Sequence, residues 1–335
     1  MKLVTFIHKS DPIENQKIGV LLSKKDKIAD LQSGQILLTG KSNRYFSSML
    51  SLLEGGNIIM DMAREVSQFI SDKEPQKALI NTEDAILLSP VPRPLSIRDC
   101  ISFEKHLVQA TRTILKWKLP LLARIDGLIE KKIGRSIVAV PKIWYKRPIY
   151  YKSNTLSVVG TNSEVLWPSY TKKLDYELEF GIYIGKKGKN ISEKNAEKHI
   201  AGYTIFNDFS ARDIQPKEMQ GRLGPSKSKD FDTGNVIGPY LVTPDEIDDP
   251  YNLTMKAFIN DILWSAGNSR DMHFSFPEII SYISKDETLY PGEFIGSGTV
   301  GNGCGLELDR WIQPNDTIEL KVEGLGTLKN KIIAN

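Results

Sequence analysis

Cysteine is scarce: Cys100 and Cys304 are the two in 335 residues, and they form no CxxC pair. This excludes a disulfide framework and a finger-type zinc cluster. No stretch approaches 18 uninterrupted apolar residues, so no membrane-crossing helix is expected. The opening run MKLVTFIH is too short for a signal-peptide core and gives way at once to Asp11 and Pro12. Blocks of one charge are missing as well. The 44 basic residues are interleaved with 41 acidic ones for a formal net charge of +3, leaving no footprint for nucleic acid or a membrane surface. What remains, 40% apolar and 25% charged residues without repeats or low-complexity tracts, is ordinary globular usage. These absences together predict a cytoplasmic protein with neither nucleic-acid nor membrane partners.

The length allows a main domain with a smaller one attached. Three short apolar runs, LVTFI, IGVLLS and KIADLQ, read as strands, and residues 43–72 carry helical spacing. The charged, proline-interrupted stretch 72–86 reads as a linker, which divides the chain into a β-rich N-terminal domain (1–85) and a catalytic domain (86–335). Ser96 is the expected N-cap of a helix running to Pro120, and residues 121–146 are lysine-rich and carry no clear period. Thereafter strands dominate, with helices near 192–200 and 276–284. The absence of βαβ alternation indicates an α+β, mostly β fold.

The chemistry begins in LDYELEFGIYIG. On a strand, Glu177 and Glu179 share one face about 7 Å apart. Alone, such a pair is most often a solvated face. Asp208, at the end of the apolar run GYTIF and ahead of a helix-like SARDIQ, adds a third acid, although it also suits a helix cap. Three carboxylates form an all-oxygen set of the kind that selects Mg2+, Mn2+ or Ca2+ over zinc. Asp99 and His106, seven apart on the expected helix, fall on one face. The glycine-dense segment GSGTVGNGCGLELD holds Thr299 and Glu307, the latter inside an expected apolar strand. It lacks the lysine and hydroxyl of a phosphate-binding loop and suits close backbone approach to a small ligand.

These motifs, with LGPSKSKDFDTGNVIGP and LKVEGLGTLKNKI, occur in an order that resembles the fumarylacetoacetate hydrolase family over roughly residues 90–332. The resemblance implies a mixed β-roll or sandwich with a small barrel-like N-terminal domain, and a homodimer. It implies Asp99, Glu177, Glu179 and Asp208 as ligands of a divalent metal, Mg2+ first and Mn2+ or Ca2+ next. His106 would be the base, oriented by Glu307, with Lys229 catalytic near the metal and Thr233 beside it. Arg212, Gln215, Tyr151 and Thr299 fall on substrate-contacting positions.

The activity so implied is hydrolysis of a carbon–carbon bond in a 2,4-diketo acid, in which His106 activates water and the metal stabilises the enolate that leaves. Aromatic amino acid catabolism is the corresponding setting. The alternatives are dehydration, decarboxylation or isomerisation of a 2-oxo acid through the same enolate, or a binding protein without turnover. Ile101, Met219 and Leu115 replace two phenols and a guanidinium of the fumarylacetoacetases, with Arg112 the nearest substitute, so a fumaryl tail is expected to be disfavoured.

Overall fold

The structure is a computed structural model that describes residues 1–22, 25–134 and 140–334. The chain opens with β1 (Lys2–His8), β2 (Lys17–Leu22) and β3 (Lys27–Asp30). Helices α1 (Leu31–Thr39), α2 (Met49–Glu54) and α3 (Gly56–Lys73) follow, then the short strands β4 (Leu79–Asn81) and β5 (Ala85–Leu87). Next come β6 (Ile97–Cys100), α4 (Glu104–Lys118), α5 (Pro120–Ile133), β7 (Tyr150–Ser153), β8 (Val158–Val159), β9 (Glu164–Trp167) and β10 (Leu174–Asp175). The middle of the chain supplies β11 (Leu178–Ile184), α6 (Glu193–Ala196), β12 (Ile200–Asp208), β13 (Ser210–Ala211), α7 (Gln215–Glu218) and β14 (Asn235–Val242). The last part supplies β15 (Thr254–Ile259), β16 (Ile262–Asn268), α8 (Phe276–Ile283), β17 (Phe294–Gly296), α9 (Gly305–Leu308), β18 (Thr317–Val322) and β19 (Gly326–Ala334).

Among the described residues the main sheet has 12 strands, in the order β4-β3-β2-β1-β14-β12-β11-β17-β6-β7, with β5 beside β1 and β8 beside β14. Strand β11 lies at its centre and is buried along all seven residues, which is why LEFGIYI is a nearly continuous apolar run. Glu179 is the exception within it, a carboxylate in a fully buried strand. The second sheet, β16-β15-β18-β19-β9, is half-buried: Thr254 and Lys256 are exposed while Met255 and Ala257 are buried, the alternation of a strand with one wet face. Its strands β18 and β19 pack over β12 and β14, so Leu320 and Leu328 share a core with Ile205 and Val236. Two sheets packed in this way make the α+β sandwich expected from the sequence.

The N-terminal segment departs from expectation in three respects. It carries helix α1 in addition to α2 and α3, which fall where residues 43–72 show helical spacing, and α3 buries Ile59, Ala63, Val66 and Ile70, one stripe at that spacing. Its strands do not close on themselves but extend the main sheet, with β1 paired to β14. Within and just past the stretch 72–86, expected as linker, Leu79–Asn81 and Ala85–Leu87 are strands β4 and β5, paired to β3 and β1. The pairing partners are about 50 to 80 residues distant in sequence, a separation that no local pattern reveals.

A further correction concerns residues 96–103. Ser96 caps no helix; its hydroxyl donates to Glu293. Residues Ile97–Cys100 form β6, buried throughout and paired parallel to β17 and antiparallel to β7. Helix α4 starts at Glu104, so Asp99 and His106 belong to different elements. Pro120, the expected stop, ends α4 and opens α5. No helix of the described residues is long and apolar enough to cross a membrane.

Candidate active site

Three neighbouring parts of the main sheet deliver the acids. Asp99 comes from β6, Glu179 from β11 and Asp208 from the last position of β12, and one carboxylate oxygen of each lies within 4.8 Å of the others. Strand β17 lies between β11 and β6 and contributes Gly296, where a Cβ would stand 2.4 Å from Asp99 Oδ1. The missing side chain is what lets the carboxylate lie there. Gly298, with φ at +82°, would meet the Cys100 carbonyl at 2.3 Å if it carried a Cβ. Its backbone N–H donates to Asp99 Oδ1 at 3.2 Å and Glu179 Oε2 at 3.1 Å. The Thr299 hydroxyl donates to Glu179 Oε1 at 3.1 Å.

Glu177, one residue before β11, is buried but tied elsewhere. Its Oε1 accepts from Arg212 Nη2 at 2.7 Å and its Oε2 from Lys229 Nζ. Lys229 also donates to Asp208 Oδ2, as does the Tyr151 hydroxyl from β7. Arg212 completes the frame, donating from Nε to Asp175 Oδ2 and from Nη1 to Gln215 Oε1, both at 2.8 Å. Asp175 in turn accepts the backbone N–H groups of Gly305 and Leu306 at the start of α9.

Burial together with the charge of Asp208 pushes the Asp99 carboxyl well above the usual range, and burial with the charge of Asp99 does the same to Glu179. Burial raises Asp208 to about 6 although Lys229 opposes the shift. For Glu177 the balance reverses: burial alone would raise it, but Lys229 and Arg212 outweigh burial and hold it well below the usual range. Lys229 is held above its ordinary value despite burial by Asp208 and Glu177.

Asp208 Oδ1 is buried with no hydrogen-bond partner among the described residues. Three crowded carboxyls that resist ionisation, an orphaned acceptor oxygen and an all-oxygen donor set fit a hard divalent cation of the Mg2+, Mn2+ or Ca2+ kind.

His106, in the first turn of α4, faces this set from the side. Its Nδ1 is 3.0 Å from Glu307 Oε2 and its Nε2 is 3.9 Å from Glu177 Oε1. Glu307 is itself fixed by the backbone N–H groups of Asn302 and Gly303, each at 2.8 Å. A cavity of 810 Å³ opens over the site, with Asp99, His106, Glu177, Arg212, Lys229 and Thr299 in its wall. The eleven residues given catalytic, substrate or metal roles from the sequence thus fall in one region, Thr233 apart, with the acids as a trio plus a lysine- and arginine-bound Glu177.

Several local expectations change. Glu307 sits in the helical turn α9, not in a strand, because Asp175 receives the N–H groups that start the turn. Ser210–Ala211 is strand β13 paired to β10, and the helix begins only at Gln215, so Asp208 caps nothing and Arg212 precedes the helix. The Thr233 hydroxyl accepts from the Leu166 N–H and lies outside the cavity wall. Ile101 and Met219 line the cavity, whereas Leu115 and Arg112 do not; Arg112 Nε donates to the buried Asp126 at 2.5 Å. Sequence reasoning passes over Asp175, although the spacing Asp175, Glu177, Glu179 places three acids at period two.

An acid trio of a composition that fits a hard cation thus stands beside a histidine–glutamate pair under one cavity, the arrangement of a candidate enzyme site. The fumarylacetoacetate hydrolase C-terminal family pattern matches residues 129–333. The chain is 30% identical over 323 residues to "Oxaloacetate tautomerase YisK" of Bacillus subtilis, covering 95% of this chain and 97% of that protein. It is 36% identical over 191 residues to human "Oxaloacetate tautomerase FAHD2A, mitochondrial", covering 56% of this chain and 60% of that protein. Among solved structures, maleylpyruvate hydrolase from Sphingobium sp. SYK-6, in complex with manganese(II) and pyruvate, superposes with a TM-score of 0.69 at 21% identity, covering all of both chains. The protein belongs to the fumarylacetoacetate hydrolase family.

Proposed function

We infer that the chain is an enzyme that interconverts the keto and enol forms of a short 2-oxo dicarboxylic acid of the oxaloacetate class, with Mg2+ or Mn2+ held by Asp99, Glu179 and Asp208. The cation supplies positive charge next to the 2-oxo acid end. His106 Nε2 takes a proton from C3 of the keto form, and Glu307 holds the opposite nitrogen so that the ring keeps its orientation. One proton is returned to the oxygen on C2, so the step is proton-neutral and needs no water. Lys229 balances negative charge at that oxygen. Arg212 spends three of its five N–H groups on Asp175, Gln215 and Glu177, which leaves donors for a substrate carboxylate.

The observation that carries this reading is the His106–Glu307 pair facing the acid trio, in a chain similar over nearly its whole length to a protein named for tautomerisation. A second reading, cleavage of an acylpyruvate by water that His106 activates, is favoured by the cavity. Its 810 Å³, walled in part by Ile101, Leu107, Ile114 and Met219, exceeds what oxaloacetate needs. Following the enol absorbance of oxaloacetate and the cleavage of acetylpyruvate side by side, with Mg2+, separates the two. Faster enol decay without cleavage supports tautomerisation, and cleavage at the higher kcat/KM overturns it.

A further inference from the structure

Beside the oxygen trio lies a second cluster of ligand atoms of a different kind. His106 Nδ1, Cys304 Sγ and Glu307 Oε2 stand within 4.8 Å of one another. The separations are 3.0 Å from nitrogen to oxygen, 3.4 Å from sulfur to oxygen and 3.9 Å from sulfur to nitrogen. A tetrahedral zinc ion with bonds of about 2.3 Å to sulfur and about 2.0 Å to nitrogen and oxygen holds such pairs about 3.3 to 3.6 Å apart. The three atoms therefore already outline one face of that tetrahedron to within about 0.4 Å. Of the three residues His106 reaches the cavity wall, while Cys304 and the Glu307 side chain are fully buried.

We propose that His106, Cys304 and Glu307 form a binding site for a soft divalent cation of the zinc class, separate from the oxygen trio, and that its occupation switches the enzyme off. The chemistry of the two donor sets keeps them apart: three carboxylates suit Mg2+ or Mn2+, whereas a thiolate with an imidazole suits zinc. Binding replaces the bond between Nδ1 and Glu307 by metal–nitrogen and metal–oxygen bonds. The Cys304 thiol, which otherwise donates to Glu307, releases its proton to solvent as the metal–sulfur bond forms, and no electrons change hands. A neutral imidazole bound to metal through Nδ1 carries its proton on Nε2. Nε2 is the nitrogen turned toward Glu177, and once protonated it accepts nothing from substrate. The sequence conceals the cluster because Cys304 and Glu307 sit on a glycine-rich loop and a single helical turn, while His106 arrives from α4, about 200 residues earlier.

The test uses the full chain saturated with Mg2+ and titrated with Zn2+, measuring bound zinc by equilibrium dialysis and turnover in parallel. The turnover arm rests on the proposed function; the dialysis does not. In the wild type, one zinc per chain should be retained against excess Mg2+, and inhibition should persist as Mg2+ is raised. Loss of an outer-shell partner alone costs about 10- to 100-fold in metal affinity, so Cys304→Ser should weaken zinc retention and inhibition by about tenfold or more, with Mg2+-supported turnover little changed. Cobalt provides a readout that needs no variant: bound to the wild type it should show a near-ultraviolet thiolate-to-cobalt band. Absence of that band, equal zinc retention by Cys304→Ser, or inhibition relieved in proportion to added Mg2+ would each overturn the proposal. Zinc retention in a protein with no turnover on any 2-oxo acid would instead overturn the function and leave this site standing.

Discussion

Nδ1 of His106 lies 3.0 Å from Oε2 of Glu307, and Glu307 is anchored in turn by two backbone N–H groups of the loop that follows Thr299. The imidazole is thereby fixed from behind and open only toward Glu177 and the cavity. His106→Ala should lower kcat by about a hundredfold or more, the usual scale for losing a general base, and leave Mg2+ affinity measured by calorimetry unchanged. Glu307→Gln should cost less, because the amide oxygen still accepts from Nδ1. Turnover unaffected by His106→Ala would mean that another group moves the proton.

Arg212 joins Asp175, Glu177 and Gln215 in one buried fork. Removing it takes the cationic partner from buried Asp175, which keeps two backbone N–H groups, and leaves Glu177 with Lys229, so Arg212→Ala should lower the unfolding free energy by about 3 kcal/mol in a urea titration. Arg212→Lys keeps the charge but cannot span three partners, and it should fall between the two. Equal stability of all three forms would show that the fork contributes nothing.

Much of this site is legible in the amino-acid sequence. The acids at 177, 179 and 208 stand out because they lie in or at the ends of apolar runs, although the alternation alone reads equally as a solvated face. Thr299 and Glu307 follow from glycine density, which marks close backbone approach. Asp99 is marked by its family position, yet its local sequence points to the wrong element: Ser96 reads as the N-cap of a helix through IRDC, and the parallel pairing to β17 that makes it a strand lies about 200 residues away. The same distance hides the continuation of the N-terminal strands into the main sheet. The His106–Cys304–Glu307 cluster has no local signal at all.

The trio also sets the pH response of the metal-free protein. Asp99, Glu179 and Asp208 have folded-state values raised above those of free carboxylates, Asp208 to about 6 from 3.8. The folded state therefore binds more protons than the unfolded chain above about pH 4, and stability falls as pH rises through the folded values. In EDTA, Tm should decline between about pH 5 and 7, whereas Glu177, shifted the other way, contributes stability that is lost only on acidification below about pH 4.5. Saturating Mg2+ should flatten the decline, and the rise in Tm that it causes should grow with pH, because the cation competes with protons. A metal-induced rise in Tm that is independent of pH, read by differential scanning calorimetry, would remove the trio as the binding site.

The central claim is that His106 moves the C3 proton of a 2-oxo acid. It is tested most directly by proton NMR of oxaloacetate in D2O with Mg2+, following loss of the C3 proton signal as deuterium enters. The wild-type enzyme should accelerate this exchange over Mg2+ alone, and His106→Ala should return it to the Mg2+ background while still binding the metal. Exchange by His106→Ala at the wild-type rate, or no acceleration by the wild type, would contradict the account.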